Sequence, residues 1–305
     1  MTSAATPVLT AGDVLTFSEV RHFERVSGLR GALLVAHAWL IIVTATVVYA
    51  LWPSAVTLVA AIAVIGARQF GLVVLAHDAA HWRLFPRAKV NDRVGRWLCA
   101  FPVGAADLPL YRKRHHRHHR HTGEAEDPDL ALANPFPVTR ASFGWSVVRD
   151  LVGLTAGARL LGAWRSYENA SAAWRQLRGP VLANLVLLGG LATLGQWHLY
   201  VLLWALPLVT WYQLVGRIRD LAEHALTPDL EDPLRNARTV LAGPLTRLLM
   251  APYWVNYHLE HHLLVFVPCW KLRAAHALLL AKGYGPRMEI APSYAAVVRR
   301  VTSAG

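Results

Sequence analysis

Charge is scarce in this chain. Asp, Glu, Lys and Arg make up 16% of its 305 residues, where soluble domains run near about 25%. That argues against the pair of soluble domains that length alone suggests. Cysteine is nearly absent. Cys99 and Cys269 are the only two, and neither sits in a C-x-x-C pair, which excludes a disulfide framework, a cysteine-rich zinc fold and a conventional iron–sulfur cluster. The first 30 residues contain no apolar core ahead of a small-residue cleavage site, so no secretory signal is expected. No internal repeat or low-complexity linker interrupts the chain, which reads as a single unit over residues 1–305.

What the chain does have is apolar residues, at 54%, and 15 histidines. Residues 33–52 carry no charge, and 55–76 carry only Arg68. A helix of about 20 residues covers roughly 30 Å, one hydrocarbon thickness. A second pair of runs, 181–197 and 199–216, is separated by almost nothing, and Pro207 is expected to kink the last of them. The expected fold is therefore an all-α integral membrane protein with four spans in two tight hairpins. A helical cap is expected over 77–180 and 217–305. Residues 16–30 read as part of an amphipathic interfacial segment covering 1–32. Residues 143–164 have similar character but are too interrupted by Arg149, Asp150 and Arg159 to span.

Acidic residues are outnumbered, 19 against 31 Lys and Arg, and the excess has a direction. Both hairpin turns lack Lys and Arg, whereas Arg21, Arg25, Arg30 and the bulk of the remainder fall in segments that share one side. By the positive-inside rule that side is cytoplasmic, so both termini and the cap are expected there in a multi-pass protein. The net charge is thus a topology signal. It does not point to nucleic acid, for which no binding module is visible. Arg68 is the one charge within a span, and it needs either a structural partner or a role as an anchor for substrate.

The histidines cluster. His77 and His81 stand at i and i+4 in HDAAH; His115, His118 and His119 form H-x-x-H-H; His224 ends RDLAEH; and His258, His261 and His262 repeat H-x-x-H-H. Residues three and four apart share a helix face, so each cluster aims its imidazoles at one point. Helices converging in this way hold two metal ions in bundles. The imidazoles are too many for one tetrahedral zinc, so the set reads as a dinuclear centre. Asp78, Asp127, Asp129, Glu223 and Glu260 lie close by in sequence and are expected to orient imidazole N–H groups. His116 lies about 100° off the shared face of its helix and, with His121, is expected to stay outside the site. His22, His37, His198 and His276 are isolated.

Taken together, HDAAH, HHRHHRHTGEAEDPD, RDLAEH and YHLEHH resemble the membrane fatty-acid desaturase and hydroxylase superfamily of histidine-box di-iron enzymes. The resemblance covers most of the chain, in order, spacing and span position. It implies two iron ions held by His77, His81, His115, His118, His119, His224, His258, His261 and His262, with O2 as co-substrate. It also implies oxidation of an aliphatic C–H bond, either to a double bond in a fatty-acyl chain or, alternatively, to a hydroxyl or keto group on a lipid, hydrocarbon or carotenoid. Two features depart from the common pattern. Trp82 follows the first box where a small residue is usual, and HHLLVFVPCW lacks a proline soon after the third. With no fused electron-transfer motif in the chain, electrons are expected from a separate protein of ferredoxin, rubredoxin or cytochrome b5 type. A membrane metal carrier and a zinc hydrolase are the readings from other classes. A carrier would place its ligands along the spans, and a hydrolase would need an open three-ligand site with a general base.

Overall fold

The computed structural model describes residues 9–133 and 136–303. It is mostly helical, with three helices long and apolar enough to cross a membrane: Gly28–Leu51, Ala55–Ala80 and Trp197–His224. The first, α1 (Gly28–Leu51), is opened by Ser27, whose side chain accepts from Arg30 N. It is closed by the Trp52-Pro53-Ser54 turn. There Ser54 caps the next helix and Thr57 Oγ1 donates to Trp52 O at 2.7 Å, so one threonine serves both ends of the hairpin.

Helix α2 (Ala55–Ala80) is the axis of the molecule. Its 26 residues reach about 39 Å at 1.5 Å per residue, longer than a hydrocarbon layer of about 30 Å. The excess carries His77 and the C-cap residue His81 beyond it. Neighbours close on α2 where it has no side chain. A Cβ at Gly66 would lie 2.8 Å from Trp211 Cβ, and one at Gly71 would lie 2.7 Å from the Tyr253 ring.

The third long run is not one regular helix. It passes through a π-helical stretch, Val201–Ala205, and a short helix, Leu206–Val209, before Thr210 leaves helical geometry (φ −119°, ψ −89°). Proline has no N–H to give to the preceding turn, and π-bulges commonly absorb such defects. Gln69 of α2 donates to Trp204 O at 2.8 Å and Thr210 Oγ1 to Leu206 O at 2.6 Å, which satisfies carbonyls at the irregular turns. The kink expected at Pro207 is therefore a break spread over ten residues, 201–210.

The run expected at 181–197 is displaced. The helix there is Ala170–Thr193, with Pro180 inside it. It ends because Gly195 takes the left-handed conformation (φ 70°) and Gln196 N returns to Leu191 O at 2.8 Å. Its first half carries Arg175 and Arg178, and it is not among the three apolar helices. The amphipathic segment at 16–30 is likewise shorter than expected. It is a seven-residue helix, Phe17–Phe23, with a Thr16/Glu19 capping box, and α1 begins already at Gly28. Residues 143–164 form parts of two helices, Arg140–Leu151 and Leu154–Arg165, hinged at Gly153 (φ 81°).

Four further segments surround the end of α2: α3 (Leu108–Arg120), α4 (Trp211–His224), α5 (Pro244–Leu249) and α6 (His258–Leu263). A two-stranded parallel sheet, β1 (Thr239–Val240) with β2 (Ile290–Ala291), ties the C-terminal region beneath them. Arg238, 1% exposed, locks this layer to α4. It donates to Ala222 O, Ala225 O and Leu226 O and pairs with Glu289 at 3.0 Å.

Candidate metal centre

Four chain segments deliver the histidines. The last turn of α2 supplies His77 and His81, one face of α3 supplies His115, His118 and His119, the C-terminus of α4 supplies His224, and α6 supplies His258, His261 and His262. Their nitrogens fall into two groups, each with atoms within 4.8 Å of one another. The first is His77, His81, His115, His119 and His261; the second is His118, His224, His258 and His262. The groups adjoin through His119 and His262, whose rings are 4.3 Å apart. All nine expected histidines are therefore brought together, and the third box is shared between the two groups.

Within each group the nitrogens face each other at close range. His119 Nε2 is 2.9 Å from His115 Nε2 and 3.0 Å from His261 Nε2, and His224 Nε2 is 2.9 Å from His258 Nε2. A ring nitrogen carries either one hydrogen or one lone pair, so His119 Nε2 cannot be paired with both of its neighbours. Ligands at about 2.1 Å from a shared cation, at right angles, stand about 3.0 Å apart, which is the spacing found. His81 Nε2 and His119 Nδ1 are buried without a hydrogen-bond partner among the described residues.

The second group shows how the chain fixes its tautomers. His118 Nδ1 donates to Asp127 at 2.9 Å, His262 Nδ1 to Thr122 Oγ1 at 3.3 Å and His224 Nδ1 to Asn236 O at 3.4 Å, while His258 Nδ1 lies 3.2 Å from Glu223. With the Nδ1 atoms of His118, His262 and His224 engaged as donors, the Nε2 lone pairs of these three point inward. Asp127 is itself held. Burial alone would raise its carboxyl, but hydrogen bonds from His118, Gly123 N and Asp129 N outweigh this and keep it below the usual carboxylate range. Burial first, and repulsion by neighbouring imidazoles after it, hold His81, His115, His119, His258, His261 and His262 well below the ordinary histidine value. These side chains are neutral at physiological pH, the form that binds metal.

The carboxylates divide. Asp127 and Glu223 stand against imidazoles of the second group, whereas Asp78 and Glu260 do not orient a histidine of either group. Asp78 Oδ1 is 4.0 Å from His77 Nδ1, and its Oδ2 accepts from Cys269 N at 2.9 Å, clamping the loop after the third box to the end of α2. Glu260 points away from its own histidines, toward His276 Nδ1 at 2.5 Å and Thr239 Oγ1. The i,i+2 and i,i+1 offsets place it on another helix face. Asp129 is engaged by Arg114 at 2.5 Å. His116 joins neither group, lying 5.4 Å from the His81 ring, and His121 pairs with Glu124. Sequence reasoning missed Thr122 and the Asn236 carbonyl. Thr122 lies three residues past the second box, one turn after His118, which is the only signal it gives.

A cavity of about 240 Å³ adjoins the histidines. Phe70, Val73 and Val74 of α2 form its apolar wall, and Tyr111, Arg159, Tyr212 and Asp220 form a polar one. The Tyr111 ring stacks on His115 at 5.5 Å. On the outer side, Arg112 lies over the Trp82 ring at 3.9 Å and donates to Ala79 O and Ala80 O. The unusual Trp82 thus takes part in closing the C-terminus of α2.

Fold and site together define a helical membrane protein with a two-part histidine centre. The fatty acid desaturase profile matches residues 50–292. Dihydrorhizobitoxine desaturase of Bradyrhizobium elkanii is 30% identical over 278 residues, 83% of this chain and 76% of that protein. The β-carotene ketolases of two Paracoccus strains, PC1 and N81106 / MBIC 01143, are each 28% identical over 206 residues, 66% of this chain and 72% of theirs. The chain belongs to the fatty acid desaturase family, within the membrane di-iron histidine-box oxidoreductases.

Proposed function

We propose that this protein is an O2-dependent desaturase that takes two hydrogens from adjacent carbons of an aliphatic chain. The observation carrying this reading is the convergence of five and four imidazoles on two adjoining points beside a cavity with an aliphatic wall. His77, His81, His115, His119 and His261 would hold one iron, and His118, His224, His258 and His262 the other. When bound, the irons supply the redox chemistry that activates O2 toward a C–H bond.

The chain's own contribution is positioning. Phe70, Val73 and Val74 lie on one face of α2 with His77, so saturated carbons laid against them are carried to the cluster and kept from water. Asp127, Thr122 and the Asn236 carbonyl keep Nδ1 protons where they do not compete with ligation. The cavity, smaller than the roughly 300–1,000 Å³ of most ligand pockets, takes a short molecule or a segment of a lipid or fatty-acyl chain. Its polar wall suits a substrate with a polar group close to the reacting carbons. Oxygenation, as in the ketolases, is the second reading, supported by the 28% identity to them. Mass spectrometry of products from expressing membranes tests both. Loss of a hydrogen pair supports desaturation, gain of oxygen replaces it with the ketolase or hydroxylase reading, and one zinc without iron overturns both. A carrier role is disfavoured because all nine histidines sit at one end of the spans and leave no ligand path through the bilayer.

In the bilayer, α1 and α2, then Ala170–Thr193 with the run after it, form two hairpins, with both termini and the metal centre cytoplasmic. The support is the Lys/Arg-free turns and the exposed Trp145 and Trp164 of the two surface helices, suited to interfacial depth. Cys99 and Cys269 are both buried, so an introduced cysteine reports cleanly. At Ser54 it should react with an impermeant maleimide from outside the cell and at Ser303 it should not; the reverse pattern inverts the topology.

Electrons come from a separate acidic protein. Arg112 and Arg114 are committed to Asp92 and Asp129, whereas Lys113, Arg117 and Arg120 are exposed on α3, a free cationic patch within one helix of the metal ligands. Donor-limited turnover should fall as salt rises from 0.1 to 1 M, where the Debye length shrinks from about 10 to about 3 Å. Reversing the three charges should lower that rate and flatten its salt dependence. A salt-insensitive rate removes the docking surface.

A further inference from the structure

Arg68 has no part in the metal centre. It is 3% exposed on α2, and its Nη2 donates to the carbonyls of Arg247 (3.2 Å) and Leu248 (2.6 Å). Among the described residues its Nε has no hydrogen-bond partner, and its guanidinium lies 5.5 Å from the Tyr253 ring centre. Among the described residues no carboxylate comes within 4.0 Å of Arg68, Arg247 or Arg30. The structural partners that Arg68 has are therefore the two backbone carbonyls. Carbonyls satisfy donors but cancel no charge, and an arginine within a span is costly unless its charge is met.

A cavity of about 580 Å³ opens against this charge, between α1, α2 and α5. Leu33, Leu34 and Ile41 give it an apolar side wall, and Arg30, Arg68 and Arg247 all line it. Its floor is strained. Tyr253 (φ 54°) and Trp254 (φ 59°) are consecutive non-glycine residues in the left-handed region, a conformation that persists where the surroundings impose it. The Tyr253 ring is seated on Gly71, its hydroxyl bonds His37 Nδ1 at 3.1 Å, and Arg247 lies 5.5 Å from the Trp254 ring. The face of α2 used here is not the Phe70, Val73, Val74 and His77 face that borders the metal cavity.

We infer that this cavity is a binding site for an amphiphile with an oxyanionic head, the head neutralised by Arg68 and Arg247 with Arg30 at the rim, and the chain lying along Leu33, Leu34 and Ile41. The shared chemistry is a lipid oxyanion, either a phospholipid phosphate or a fatty carboxylate. The test uses the metal-loaded protein in neutral detergent, reading thermal unfolding against four probes below their micellar concentrations: dioleoylphosphatidylglycerol, oleate, inorganic phosphate and uncharged dioleoylglycerol. The site raises the midpoint saturably with phosphatidylglycerol, with oleate or with both; phosphatidylglycerol alone assigns the phosphate head and oleate alone the carboxylate. Arg247→Gln, on a side chain outside the metal centre, shifts half-saturation at least tenfold while iron content stays at the wild-type value. Leu34→Trp fills the cavity and abolishes the response without touching a charge. Equal shifts with dioleoylglycerol or inorganic phosphate, no shift with either anionic lipid, or wild-type response in both variants overturns the site.

Discussion

His118→Ala and His261→Ala each abolish turnover and lower bound iron from two ions per chain toward one, with most of the fold retained. The two residues belong to different groups, so each substitution opens one half of the centre while the other keeps its ligands. Both side chains sit at the end of the spans, where they contribute no helix–helix packing within the bilayer. Two graded controls accompany them. Asp127→Asn keeps all nine imidazoles but weakens the hydrogen bond that fixes His118, and loss of such an outer partner costs about 10–100-fold in metal affinity or activity. His116→Ala, outside both groups, keeps substantial activity. Iron analysis and product formation on the same preparations check the series. Full turnover in either alanine variant removes that residue from the centre, and a dead His116→Ala breaks the division into faces.

Arg238→Met gives the largest loss of stability outside the metal ligands. Its guanidinium is enclosed by three carbonyls at the end of α4 and by Glu289. Glu289 keeps its pairing with Arg300 at 2.7 Å, so the loss falls on the buried carbonyls, and leaving such a group unsatisfied costs about 1–3 kcal/mol. Because those carbonyls flank His224, Ala222 before it and Ala225 and Leu226 after it, the change loosens the second group as well as the C-terminal layer. Fluorescence-detected gel filtration of the solubilised protein should show a strongly reduced folded fraction. Arg238→Lys, which keeps the charge but not the fork of donors, should fall between the two. A wild-type profile for Arg238→Met would mean that β1 and β2 hold the layer unaided.

The histidines were legible in the sequence because their signal is local. Spacings of three and four on a helix state which side chains share a face, and 33–52 and 55–76 are apolar enough to be read directly. What was not legible depends on contacts between distant segments. The division into five and four ligands separates His118 from its neighbour His119 and His261 from His262, which no spacing rule within one box dictates. Asp78 and Glu260 stand beside ligands in sequence, yet the chain uses them to hold Cys269 N and His276, since a side chain adjacent to a ligand points to a different helix face. The Ala170–Thr193 helix begins eleven residues before the apolar stretch because capping by Asn169, not hydropathy, sets its start. Arg238 carries no sequence mark at all. Its importance comes from burial alone.

The spread of ligands along the chain has a consequence for biosynthesis. The first group is incomplete without His261, and the second without His258 and His262, so neither ligand set is complete until the chain has been made past residue 262. Helices α1 and α2 are made long before that, with His77 and His81 at the end of α2. Completing either set therefore couples the last segment to the first, and a chain cut short before α6 keeps four of the five histidines of the first group and two of the four of the second.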